Sequence, residues 1–249
     1  MLRLYSLFFV FILCIAGCVP VDSLNPFFSD RNVISDPGLV GLWRNADPNQ
    51  EIEIRFDPSE GNAYQMVLMQ KESGSVKESV FTAHLINLGG EKFFDVELGQ
   101  ISGASQHLFH TDPVKKGSRF EPTLEPIGDG AYLEVLGPTP GKGNSQEVQI
   151  KVRPSHWICK VYLTPTDMSI QYLDREWVKE QIDKKLIQAR SLKASDSSGS
   201  QNWVLSGSTA ELEQFVVHHA DDPGAFDNGI SLKKVSAAKS EGEKMEKSN

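Results

Sequence analysis

Alternation of apolar and polar residues with a period of two constrains the fold of this chain more than any other feature. In "EIEIRF", residues 51–56, the apolar Ile52, Ile54 and Phe56 share one face, as in a strand with one solvated side. The same period recurs in three segments that follow, "AYQMVLMQ", "VFTAHLINL" and "KFFDVEL". The residues between these segments have turn compositions, so the four strands predict an antiparallel meander.

Later segments add further strands and two helices. Five runs have strand character, "AYLEVL", "EVQIKV", "HWICKVYL", "MSIQYL" and "GISLKKV". Helical spacing predicts one helix near 175–191, with Asp174 as its N-cap, and another near 209–220, where Ser208 and Glu211 have capping-box spacing. The predicted fold class is therefore mainly β, an antiparallel barrel of about eight to ten strands or a strongly curled sheet, with two helices in the C-terminal half.

The N-terminus has the three parts of a secretory signal. Arg3 lies in a short start, an unbroken apolar run extends from Leu7 to Ala16, and small residues end it. The run has about half of the roughly 20 apolar residues that a membrane-spanning helix needs. We therefore expect residues 1–17 to be a cleaved signal peptide, and an uncleaved anchor is the alternative.

The sequence at the end of this run, Ile15-Ala16-Gly17-Cys18, resembles the lipobox of bacterial lipoproteins. In that family, signal peptidase II cuts before the cysteine after its thiol has received a diacylglyceryl group. Cys14 lacks the preceding small residues that the motif needs. The resemblance implies attachment to a membrane through a lipid on Cys18, and two or more acyl chains hold a protein there stably. By resemblance to the sorting rules of enteric lipoproteins, Val19 in place of aspartate implies the outer membrane, facing the periplasm or the exterior.

The rest of the chain divides into three parts by composition. Residues 18–36 are polar, contain prolines and have no sustained period, so they predict a tether. Within this tether, Pro26–Phe28 could dock on the folded body or face the lipid surface. Residues 37–235 predict a single β-rich domain. Residues 236–249 have almost no apolar content and predict a disordered tail.

Charge and cysteine content exclude several partners and constraints. The 25 basic and 33 acidic side chains argue against nucleic acid and against electrostatic binding to anionic lipid. Of the three cysteines, Cys14 would leave with the signal and Cys18 would carry the lipid, so Cys159 has no intramolecular partner for a disulfide. We expect Cys159 to be a small buried side chain, not a nucleophile served by His156, because residues three apart on a strand point to opposite faces.

The segment before the first strand carries a second resemblance. Gly41-Leu42-Trp43 is similar to the Gly-x-Trp of lipocalins, in which the tryptophan closes one end of an eight-stranded barrel and the glycine lets the backbone pass beneath it. The resemblance implies a barrel-closing role for Gly41 and Trp43, and the alternative is an ordinary core tryptophan at a strand start. The family's later arginine, which lies over the tryptophan, has Arg153 as its candidate here. The family typically has one late helix where this chain predicts two.

The residue types that carry catalysis or bind metals form no recognisable pattern in the sequence. His107 and His110 are three residues apart in a segment without a clear structure. The adjacent His218 and His219 would point about 100° apart on a helix, so they cannot easily share a metal. The motifs Gly-x-Ser-x-Gly and His-Glu-x-x-His are absent, and the glycine-rich residues 137–144 predict a surface loop. We therefore predict no catalytic residue, no metal site and no cofactor.

Three functions are compatible with these features. The first is a binding module for an apolar or amphipathic small molecule, with Tyr64, Met66 and Leu68 lining the barrel because they share one strand face. Small barrels are often filled by side chains, so the second is an interaction or assembly protein with a solid core and an envelope protein as partner. The third is an envelope hydrolase with an unmarked site.

Overall fold

The computed structural model describes residues 21–72, 75–98, 123–126, 131–140, 146–191 and 203–235. Along these residues the strands are β1 (Gly41–Asn45), β2 (Ile52–Pro58), β3 (Ala63–Glu72), β4 (Ser75–Leu88), β5 (Glu91–Leu98), β6 (Thr123–Pro126), β7 (Ala131–Pro140), β8 (Gln146–Pro154), β9 (His156–Leu163), β10 (Asp167–Tyr172), β11 (Ala189–Ser191), β12 (Trp203–Leu205) and β13 (Asn228–Lys234). The helices are α1 (Arg175–Asp183) and α2 (Thr209–His219), and 3-10 turns lie at Asp30–Asn32, Pro37–Leu39 and Glu60–Asn62. The predicted signal peptide, Cys18 and the predicted tail at 236–249 lie outside the described residues.

Eight of these strands close an antiparallel barrel. Its order is β1-β2-β3-β4-β5-β9-β10-β13, and β13 pairs with β1 to complete the circle. A three-stranded sheet, β6-β7-β8, is inserted in the chain between β5 and β9. The two helices and the β11–β12 pair are inserted between β10 and β13. The predicted fold class is therefore confirmed, since the described part of the chain is a mainly β, lipocalin-like barrel with two helices.

Three of the turns lie at one end of the barrel and both insertions lie at the other. The β2–β3, β4–β5 and β9–β10 turns lie at one end, which we call the capped end because residues 33–39 cross it. There Val33 bridges Ile86, and the backbone N–H of Ile34 donates to the carbonyl of Leu85 at 2.8 Å. Both insertions leave from the other end, which we call the insertion end.

Alternating side chains of the eight strands fill the barrel, because every second residue of a strand points inward. We call this set the inner core. Its buried members are Leu39, Trp43, Ile54, Phe56, Tyr64, Met66, Phe81, Ala83, Leu85, Phe94, Val96, Cys159, Val161, Met168, Ile170 and Leu232.

A second core, the outer core, lies against the outside of β4, β5 and β9. These strands contribute Ile86, Phe93 and Ile158, and the helices and the N-terminal residues cover them. Since both faces of the three strands are buried, apolar residues follow one another in "LINL" and "FFDV" instead of alternating.

The tether prediction for residues 18–36 is wrong over the part that the structure describes. Residues 21–36, which we call the N-terminal strap, pack on the barrel, and Val21, Ser23 and Phe27 are at most 2% exposed. Ser23 exchanges backbone hydrogen bonds with His156 at 2.9 Å in both directions. The strap has no sequence period because it is irregular chain that crosses the strands and is held by single side chains. Phe27 of the Pro26–Phe28 segment docks on the folded body.

Two other boundaries differ from those predicted. The first helix ends at Asp183 and not near 191, because Lys185 takes a positive φ of 61° and the chain turns into β11. Leu186, which continues the helical repeat in the sequence, is 57% exposed. Of the predicted loop at 137–144, residues 137–140 belong to β7, after a bulge near Gly137. Within the described residues, no helix has the length and apolar content that crossing a bilayer requires.

Candidate functional site

The strand face that was predicted to line a ligand cavity lies in the packed inner core. Tyr64 is 3% exposed and Met66 is 8% exposed, whereas Leu68 is only half-buried. The Tyr64 hydroxyl accepts a hydrogen bond from the backbone N–H of Asp36 at 2.9 Å, and the rings of Phe56 and Phe94 stack at 5.3 Å. Aromatic rings therefore occupy the centre of the barrel at the level of Tyr64 and Met66.

Trp43 is fully buried near the capped end of the barrel. Its indole N–H donates to the carbonyl of Leu39 at 2.7 Å, so the Pro37–Leu39 turn lies directly against it. Gly41 has a φ of 123°, a left-handed conformation that favours glycine, and this allows the chain to enter β1 from that turn.

A lysine lies where the lipocalin resemblance predicts an arginine. Lys234, paired with Trp43 across β1 and β13, places Nζ 5.2 Å from the centre of the Trp43 ring and donates to the Gly38 carbonyl at 2.5 Å. A cation over an indole face is attracted by the ring quadrupole. The predicted candidate, Arg153, lies in β8, which is not a barrel strand.

Half-buried apolar side chains surround the insertion end of the barrel, and we call them the apolar rim. They pack against the inner core but keep part of their surface in solvent. Leu68 and Trp157 belong to this set, and the ring of Trp157 packs at 5.6 Å from the ring of Phe81 in the inner core. The members of the rim are Ile52, Leu68, Trp157, Tyr172 and Ile230.

A buried polar pair, Asp95 and His156, lies on the outside of the barrel beneath the strap. Asp95 is fully buried, and its carboxylate accepts hydrogen bonds from the backbone N–H of Phe27 and from Nδ1 of His156, both at 2.8 Å. Burial acts to lower the pKa of His156, but the hydrogen bond to Asp95 and the charges of Asp95 and Glu97 outweigh it, so this pKa is raised. The pair connects the strap to β5 and β9.

Two polar groups near this pair have no hydrogen-bond partner in the described part of the chain, Nδ1 of His84 and Oγ of Ser155. His84 lies directly opposite Asp95 on β4, with its ring 4.5 Å from that of Phe28. Burial lowers the pKa of His84 by more than the charges of Asp95 and Glu97 raise it. Because the Ser155 hydroxyl bonds to neither histidine, the cluster has the residue types of a catalytic triad without its geometry.

Helix α2 holds the strap from the other side through Glu213. This carboxylate is 7% exposed and accepts hydrogen bonds from the backbone N–H of Ser29 at 2.6 Å and from the side chain of Asn32 at 2.8 Å. It also forms an ion pair with Arg31 at 3.2 Å. Burial alone would raise the pKa of Glu213, but the hydrogen bonds from Ser29 and the charge and hydrogen bond of Arg31 lower it. Glu213 therefore fastens the strap to α2.

Lys160 is a second buried charge that contacts the end of α2. Its Nζ donates to the Ala220 carbonyl at 3.0 Å and to the Asp221 carboxylate at 2.9 Å. Burial acts to lower the pKa of Lys160, but the hydrogen bonds to Asp221 and Tyr162 have a larger effect, so this pKa is raised. One feature of the sequence indicates this residue and Asp95, since each is a charged residue with apolar residues directly on both sides, in "ICKVY" and "FFDV".

The other residues considered for chemistry are not assembled into a reactive site. Cys159 points into the inner core while His156 faces outward, and burial raises the pKa of the Cys159 thiol to about 12. The rings of His218 and His219 meet edge to face at 4.9 Å, and Nδ1 of His219 is paired with the Asp222 carboxylate at 2.7 Å.

Over the residues that the structure describes, no three histidine, cysteine or acidic side chains come together around a point that could hold an ion. His107 and His110 lie outside those residues.

An open groove of about 500 Å³ lies between the strap, the β4–β5 turn and α2. Arg31 of the strap lines it together with three residues of α2, Glu213, His218 and Val217, and Val217 is 46% exposed. The groove combines charged groups with an exposed apolar side chain.

Comparison of the chain with protein-family models, with curated proteins and with solved structures gave no match.

The raised pKa of His156 predicts a pH-dependent contribution to stability. Its charged form is favoured in the folded protein, so the stabilisation is complete below the ordinary pKa of 6.5 and is lost as the pH rises through the raised pKa. We expect His156→Gln to lower the free energy of unfolding by more at pH 6 than at pH 9, as measured by urea denaturation. The pKa of His84 is lowered, so its contribution to stability changes with pH in the opposite direction. The variant is therefore compared with the wild type at the same pH, where the contribution of His84 is common to both. An equal loss at both pH values would contradict the prediction.

Proposed function

We propose that this chain is a lipid-anchored protein of the cell envelope whose filled barrel is a scaffold for binding another envelope protein. The observation that carries the proposal is the inner core, in which Trp43, Phe56 and Phe94 are at most 1% exposed. A barrel with such a centre offers its surface for recognition. The groove beside α2 has a mixed charged and apolar lining of the kind that suits a protein partner.

The lipid anchor in this proposal depends on the sequence pattern at Cys18. An apolar signal core, two small residues and a cysteine follow one another in the order that lipoprotein processing needs. The acidic composition supports the same view, because it provides no electrostatic attraction to anionic lipid and leaves acyl chains to hold the protein. We place the protein on the outer membrane, facing the periplasm or the exterior.

A second candidate function, small-molecule binding, is favoured by the apolar rim. Half-buried side chains at a barrel mouth can contact an apolar or amphipathic molecule without an internal cavity. Such a ligand would contact Leu68 and Trp157 and would leave Tyr64 and Met66 covered.

Labelling and mass measurements test these proposals. We expect labelled palmitate to enter the wild-type protein and not Cys18→Ala, and equal incorporation would overturn the anchor. Native mass spectrometry of the unlipidated protein should give a bare mass, and a retained small molecule would favour the second candidate. A photo-crosslinker at Val217 should capture one reproducible envelope protein. The same group at Val80, an exposed valine on β4, is the matched control, and identical products from both positions would count against a partner at the groove.

A further inference from the structure

We propose that the folded body sits directly on the lipid surface that carries its anchor, with the start of the strap and β12 facing the membrane. This inference rests on the lipid attachment at Cys18 proposed above. It adds an orientation and a contact surface to that proposal, because the strap removes the spacer that the sequence predicted.

The linker between the anchor at Cys18 and the folded body is very short. Val21 is already part of the outer core, so only three residue steps separate it from Cys18. A fully extended chain spans at most about 3.3–3.6 Å per residue, which limits the Cα of Val21 to about 11 Å from that of Cys18. A free tether over residues 18–36 would have reached about 60 Å on the same basis. The anchor therefore cannot move the body away from the bilayer.

The start of the strap is bound to the folded body, so the limit on the distance from Cys18 applies to the whole body. Val21 is 2% exposed, and the backbone N–H of Leu205 donates to the Asp22 carbonyl at 2.9 Å. Ser23 exchanges two backbone hydrogen bonds with His156, and the indole of Trp157 donates to the Asp22 carboxylate. Releasing these residues to lengthen the linker would expose Val21 and break all of these hydrogen bonds.

The residues beside Val21 have the chemistry of a membrane interface. Val21 directly precedes Asp22, whose carbonyl accepts from Leu205 of β12, and Trp203 begins that same three-residue strand. Trp203 is half-buried, and the guanidinium of Arg175 lies 5.0 Å from the centre of its ring. Tryptophan concentrates at the headgroup level of membranes, and arginine interacts with lipid phosphates there.

Fluorescence quenching tests the orientation. The full-length lipidated protein is reconstituted in phosphatidylcholine vesicles with or without bromine on the acyl chains, and quenching of tryptophan fluorescence is measured. The matched control carries a Gly/Ser spacer of about 16 residues between Pro20 and Val21, which adds an average reach of about 20–24 Å outside the folded body. We expect the protein with its native linker to show about twofold or more quenching relative to the spacer variant. We expect Trp203→Phe to remove about half of that quenching.

Two further readouts separate the possible failures. Flotation of the vesicles and palmitate incorporation report whether the anchor exists, and circular dichroism shows whether each variant is folded. Protein that fails to float overturns the lipid attachment proposed above. If the protein floats but is quenched no more than the spacer variant, the contact between the folded body and the lipid surface is overturned while the lipid attachment stands. Quenching that exceeds the spacer control but is unchanged by Trp203→Phe in a folded variant overturns the face assigned to the membrane.

Discussion

Replacing Asp95 by asparagine is expected to destabilise the protein by about 3 kcal/mol, because one partner of a buried charged pair is lost. The wild-type carboxylate accepts hydrogen bonds from Phe27 and from His156 at the same time. An amide of the same shape has one acceptor oxygen, so one buried donor would face its NH₂ group without a partner. Urea denaturation followed by circular dichroism measures the loss.

The matched control is Glu97→Gln, which changes the next outward-facing carboxylate of β5. Glu97 is half-buried and contributes only a charge effect to His156, so we expect a loss of less than about 1 kcal/mol. If both variants lose the same free energy, the buried hydrogen bonds of Asp95 are not the cause. If Asp95→Asn is as stable as wild type, the strap is not held through this carboxylate.

Replacing Phe27 by alanine is expected to cost about 3 to 5 kcal/mol, the range for removing a large buried aromatic side chain. Phe27 is fully buried in the outer core, where it lies among side chains of the barrel and of the helices. Losing its ring would remove the largest fully buried side chain of the strap and leave Val21 and Leu24 as its buried apolar residues. We expect the released strap to be cut by a protease at concentrations that leave the wild-type protein intact.

The adjacent Phe28 provides the control for this change. Its ring is half-buried and packs at 4.5 Å against His84, so Phe28→Ala should lose less than half as much free energy of unfolding. Similar losses at the two positions would mean that Phe27 has no special place in the outer core. Proteolysis of the strap in both variants at the same rate would lead to the same conclusion.

The barrel strands were predictable because most of them have one solvated face. Alternation in "EIEIRF" and "MSIQYL" identifies strands without knowledge of their neighbours. Register and closure depend on contacts between distant residues, such as the pairing of Trp43 with Lys234, and no local period reports them. The strap escaped prediction for the same reason, since Phe27 and Ser23 are held by partners on β5 and β9.

The candidate site was less predictable than the fold. Gly41 and Trp43 were identified through a short motif, and the structure places them near the capped end, but Lys234 carries no motif and is one of many lysines. The Asp95–His156 pair joins residues from strands that are separated by an inserted sheet, so their proximity follows only from the barrel order.

The pairing of β1 with β13 has a consequence for how this protein is made. A chain that ends before Asn228 would leave β1 and β10 as unpaired edges, which are sites for aggregation. Contacts between strands so far apart along the chain also form slowly. If the polypeptide is threaded through a membrane from its first residue to its last, the barrel cannot close until the final strand has emerged, so a holding factor would have to protect the unfinished sheet during passage.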